Sequence, residues 1–159
     1  MAAITTGCWY SLDKQTGTSD AASTTCAQGT SPTCLAVQPM FASIQTNILN
    51  ANLCNAGACH DGNSATPQGK VDLRDNMAYA HLVNFDSILT PGYKLVVPNM
   101  PSASYLLVML GKIQPTDATP PAPPIPGSVG LMPQNGGGVL CCQKLDAVEQ
   151  WIMNGAMNN

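Results

Sequence analysis

One stretch of this chain has residue types and spacing that can do chemistry: Cys54-Asn55-Ala56-Gly57-Ala58-Cys59-His60. Two nearby cysteine sulfurs can each bond one of the vinyl groups on neighbouring edges of a haem ring. A histidine directly after the second cysteine then sits under the ring with its imidazole aimed at iron. The usual spacing puts two residues between the cysteines. Here there are four, and Ala56, Gly57 and Ala58 are small enough for the longer loop to bulge away. The same residues also suit a plain Cys54–Cys59 disulfide, with His60 a surface residue. Zinc fits less well, because no second Cys/His pair stands at ligand spacing.

An iron held this way has a sixth position to fill, and a neutral, soft thioether suits it. Of the eight methionines, Met132 is the best placed. It lies in Gly130-Leu131-Met132-Pro133, most of a domain after the motif and just before the last helical pattern. Three rivals stay open. Met109 reads as core, Met100 as a loop residue, and His81, mid-helix beside Leu82, as a boundary histidine.

The elements that must position these groups follow from periodicity. Phe41, Ile44, Ile48, Leu49, Ala51 and Leu53 recur at helical spacing and predict a helix over about 40–53, delivering Cys54 at its end. Asp75 is a plausible N-cap for a second helix through Met77, Tyr79, Leu82 and Val83. Pro91-Gly92 marks a turn, with an extended stretch from Tyr93 to Val97. Ser102 is placed to cap a third helix through Tyr105, Leu106, Met109 and Leu110, ending near Gly111. The run Thr119-Pro120-Pro121-Ala122-Pro123-Pro124-Ile125-Pro126-Gly127 excludes helix, because proline lacks the N–H and clashes with the preceding turn. It predicts a long loop, partly polyproline II. A last helix starts near Gln143, buries Leu145, Val148, Trp151 and Ile152, and ends at Asn154-Gly155.

Composition bounds the setting. The 159 residues suit one domain, and only 9% are charged, far below the ~25% of an ordinary soluble domain. Six scattered basic residues and a net charge of −3 leave no stripe for a phosphate backbone, so nucleic acid is not an expected partner. No apolar run reaches the ~18 residues that cross a bilayer. Seven cysteines in so short a chain point to an oxidising compartment: periplasm, cell surface or extracellular space. Met1 to Gly7 is too short for a leader, so a leader is expected to have been removed or replaced before this numbering. Adjacent cysteines rarely bond each other, so Cys141 and Cys142 are expected to pair with Cys8, Cys26 or Cys34. Residues 1–38, rich in Ser, Thr and Gly, then form an irregular extension pinned by disulfides. That extension is also a candidate surface for homo-oligomer assembly.

Taken together, several segments resemble the single-haem class I cytochrome c domains, above all the cytochrome-c-like domains of many environmental bacteria. They are Ile48-Leu49, the Cys54 to Gly62 motif, Gly69 to Leu73, Tyr79 to Val83, Val97 to Leu106, Leu131-Met132-Pro133 and Trp151 to Ala156. The resemblance covers roughly residues 40–157. It implies an all-α fold of about four helices around haem, spanning 39–159 after the extension. It also implies one covalent haem c on Cys54 and Cys59, with His60 proximal and Met132 distal. The implied role is electron transfer to redox partner proteins, not enzymatic turnover. Arg74, Tyr79 and Tyr93 are the polar groups expected to reach the haem propionates. The alternative is a haem-free, disulfide-stabilised surface or binding module on the same scaffold. A peroxidase would need an open iron position, which Met132 fills.

Overall fold

In the computed structural model, the described residues are 26, 29–52, 54–55, 59–62, 70–134 and 140–159. They are helical and irregular, and no strand forms among them. The only β contacts are isolated bridges: Val83 with Val96, Asp86 with Lys94 and Lys94 with Ser104. The stretch from Tyr93 to Val97 is therefore pinned at single points rather than built into a sheet. No helix among the described residues is long and apolar enough to cross a membrane.

The helices run in chain order as α1 (Pro32–Leu35), α2 (Phe41–Ile44), α3 (Ala78–Leu82), α4 (Tyr105–Met109) and α5 (Cys142–Met153). The helix expected over 40–53 changes winding: α2 passes directly into a π-helix at Gln45–Asn50. Side chains here compete for backbone carbonyls. Asn47 Nδ2 donates to Ser43 O at 3.0 Å and Asn52 Nδ2 to Ile48 O at 2.6 Å. After the π-helix the chain tightens, with Asn52 N–H on Ile48 O at 3.1 Å, and Cys54 N–H donates to Leu49 O at 2.9 Å. Such π turns recur at functional sites.

Two expected caps are not formed. Asp75 does not cap α3. Its carboxylate instead accepts from Gln45 Nε2 at 3.1 Å and Asn50 Nδ2 at 2.9 Å, tying α3's approach to the first helix. Ser102 lies inside a short 3₁₀ turn, Pro101–Ala103, and Ser104 stands at the head of α4. The Ser104 hydroxyl donates to Met100 O and accepts from Val97 N–H, both at 2.9 Å. In both places a long-range or turn partner outcompetes the local cap.

α5 matches its sequence pattern closely, with Leu145, Val148, Trp151 and Ile152 all at most 1% exposed. It packs against α1, α2 and α4. Phe41 sits 5.5 Å from the Trp151 ring and meets Tyr79 edge-on at 5.2 Å. The tail after α5 folds back over the start of α2, where Ala42 N–H donates to Asn159 O and Phe41 N–H to Asn159 Oδ1. These bonds satisfy two of the orphan donors that every helix start presents.

Residues 29–38 are not wholly irregular, because α1 forms behind Ser31 with Pro32 in its first turn. Two disulfides join this segment to the head of α5, Cys26–Cys142 and Cys34–Cys141. Gln143 adds a reciprocal pair, its Nε2 donating to Gly29 O at 2.8 Å and its Oε1 accepting from Gly29 N–H at 3.1 Å. Gly29 has to be glycine here, since a Cβ would collide with the Cys34 side chain. The extension is thus tied to α5 as the cysteine positions suggest. Cys8 and most of the extension lie outside the described residues. From Ala118 to Gln134 no helix or strand forms, as the prolines require.

Candidate functional site

The Cys–His segment closes on itself. His60 N–H donates to Cys54 O at 3.1 Å, bringing Cys59-His60 back against the end of the first helix. The segment at 70–73 then grips the histidine from both ends. Leu73 N–H donates to His60 O at 2.9 Å, and His60 Nδ1 lies 3.1 Å from Val71 O. A carbonyl can only accept, so Nδ1 is the donor in this contact. A backbone partner of this kind orients metal-binding histidines.

The same segment is braced from its other side. Asp72 is 3% exposed and takes Arg74 Nη2 at 2.6 Å and Nε at 3.0 Å. Arg74's hydrogen bonds hold the Asp72 carboxyl below its usual range. Gly62, at φ +80°, lies so close that a Cβ would strike both groups of this pair. His81 Nδ1 lies 3.1 Å from Asp72 N–H and 3.2 Å from Lys70 O, with its ring stacked on Phe85. His81 is thus committed to the 70–72 backbone.

The pH consequence follows from the direction of the Asp72 shift. A lowered carboxyl pKa stabilises the fold above the ordinary carboxylate value, and that contribution is lost as pH falls through the lowered value. Arg74→Gln is therefore expected to move acid unfolding, followed by circular dichroism, to higher pH. An unmoved acid transition would show that the pair contributes nothing.

Cys54 is half-buried, and burial pushes its thiol up to about 11. The nearby Lys144 charge works weakly against that rise. Lys144 is itself 7% exposed, and burial pulls its amino group below the usual lysine value. Relative to a thiol of pKa 9.0, Cys54 carries about a hundredfold less thiolate at pH 8. Iodoacetamide should therefore label Cys54 in the haem-free folded chain about a hundredfold more slowly than in the unfolded chain. Equal rates at pH 8, read by peptide mass mapping, would contradict the burial.

Met132 sits half-buried at the margin of the core, its N–H donating to Met109 O at 2.8 Å. The loop carrying it is thereby fixed to the end of α4. Met109 is half-buried against the core, and Met100 is an exposed loop residue. A cavity of about 290 Å³ adjoins this loop, walled by Val108, Ile113, Pro115, Ile125 and Leu131. Among the described residues no three His, Cys, Asp or Glu side chains converge as metal ligands do.

The groups expected at the propionates have other engagements. Tyr79 OH donates to Ala156 O at 2.9 Å and Tyr93 OH to Pro121 O at 2.7 Å, while Arg74 is spent on Asp72. Two residues escaped the sequence reading. Tyr105 is 1% exposed, and its hydroxyl has no hydrogen-bond partner among the described residues, a costly state for a buried phenol. It lies one helical turn before Met109. Lys144 carried a readable signal, since it falls on the apolar stripe of α5 with Val148 and Trp151. Comparison with known proteins finds no family model, no curated protein and no solved structure that matches this chain.

Proposed function

We propose that this chain is a single-haem, exported electron carrier of class I cytochrome c type, with haem on Cys54, Cys59 and His60 and with Met132 as the distal ligand. The observation that carries this reading is the approach of His60 to Cys54, His60 N–H on Cys54 O, with the ring oriented by its Nδ1 on Val71 O. The donor set fits the group: an oriented imidazole, two thiols outside the disulfides of the other four described cysteines, and a thioether on a fixed loop.

A bound haem supplies an iron that accepts and releases one electron. The chain's residues do the rest. Cys54 and Cys59 would hold the ring edge as thioethers, and His60 and Met132 would hold the iron. The segment at 70–73 orients His60. The chain carries few charges overall, so docking to redox partner proteins relies on apolar contact rather than steering. The two disulfides accord with export to the periplasm, cell surface or beyond.

Intact mass after acid denaturation, with a pyridine-haemochrome spectrum, tests the proposal on protein made with a haem-attachment system. The expected mass exceeds the polypeptide by one haem. A bare-chain mass with no Soret band would sink the cytochrome reading and leave the haem-free module.

A further inference from the structure

The proline-rich loop is not used by an electron carrier, and its burial pattern has a period of three. Ala122 is 8% exposed and Ile125 lines the cavity beside the Met132 loop, whereas Pro120, Pro121, Pro123, Pro124 and Pro126 are all exposed. Three residues per turn is the repeat of polyproline II. Each proline fixes its own φ, and every residue before a proline is driven to extended or polyproline values. One edge of the helix, Ala122 and Ile125, therefore faces the core. The other two edges, Pro120-Pro123-Pro126 and Pro121-Pro124, face out.

The fold holds this segment ready-made. Thr119 N–H donates to Ser102 O and Ala122 N–H to Pro115 O, each at 2.8 Å, and Tyr93 OH donates to Pro121 O at 2.7 Å. We infer that the ridge at 120–126 is a docking surface for a partner protein whose groove is lined by aromatic rings. Pyrrolidine rings stack flat on such rings, and a ridge without N–H groups offers only carbonyl acceptors, the pattern that polyproline-reading grooves recognise. Self-pairing is disfavoured. Among the described aromatics, Phe41, Tyr105 and Trp151 are buried, Phe85 is stacked on His81, and the hydroxyls of Tyr79 and Tyr93 bond within the chain, so no pair of unengaged rings is left to form a groove.

The test titrates the intact protein into purified SH3, WW and EVH1 domains by calorimetry, beside a free peptide of residues 118–128. At least one domain is expected to bind the peptide. The intact protein should bind that domain several-fold more tightly, because its ridge is already ordered. Pro121→Ala with Pro124→Ala should weaken binding at least tenfold. Tyr93→Phe should erase most of the advantage over the peptide while leaving the fold, followed by circular dichroism, unchanged. Binding of the peptide but not of the intact protein would overturn the proposal, as would failure of every domain to bind either.

Discussion

Removing either disulfide alone is expected to destabilise the protein by only about 2–3 kcal/mol, whereas removing both should cost roughly 7 kcal/mol. The asymmetry comes from nesting. Cys34–Cys141 spans 107 residues and Cys26–Cys142 spans 116, so either bond closes nearly the same long loop. With one in place, the other closes only a small remaining ring of roughly nine residues, worth about 2.6 kcal/mol on the chain-entropy scale, against about 4.8 for the long loop. The variants are Cys26→Ala with Cys142→Ala, Cys34→Ala with Cys141→Ala, and all four together. Urea unfolding measures each. A loss of about 7 kcal/mol consumes most of the 5–15 kcal/mol that holds a typical domain together, so the quadruple variant should be largely unfolded at 37 °C. Strictly additive losses would show that the two bonds act independently and that the nested arrangement is wrong.

Met132→Ala is the substitution expected to change the haem-loaded protein most. The haem should remain attached, because Cys54, Cys59 and His60 are untouched. The sixth position should open to water or an added ligand. The far-red band of a ferric sulfur–iron bond should vanish, and the potential should fall by on the order of 0.1–0.3 V, within the ~0.8 V that axial ligation commands. A neutral thioether favours reduced iron, so losing it favours the ferric state. If band and potential both survive, Met132 is not the ligand. Met109 is then the next substitution to make, since its carbonyl holds the Met132 backbone. His81 is a weaker rival, because its Nδ1 is tied to the 70–72 backbone.

The sequence by itself determined what depends on local repeat and local sterics. Leu145, Val148, Trp151 and Ile152 mark the buried face of α5 because a 3.6-residue period needs no partner to be read. The closely spaced prolines at 120–126 exclude a helix there, because all but the first would fall in its interior. The cysteine positions required a link from the extension to Cys141 and Cys142, yet which sulfur meets which is a property of three dimensions. Caps were the least legible feature. Asp75 looked like an N-cap, but Gln45 and Asn50, distant in sequence, reach its carboxylate first. Tertiary structure alone decided the π winding before Cys54, the closeness of Lys144 to that thiol and the lone hydroxyl of Tyr105. It also decided the partner of His60 Nδ1, a carbonyl eleven residues away. The physical reason is common to all of these. Periodicity and proline geometry act within a few residues, whereas a polar group's partner is whichever donor or acceptor the folded chain brings within about 3 Å.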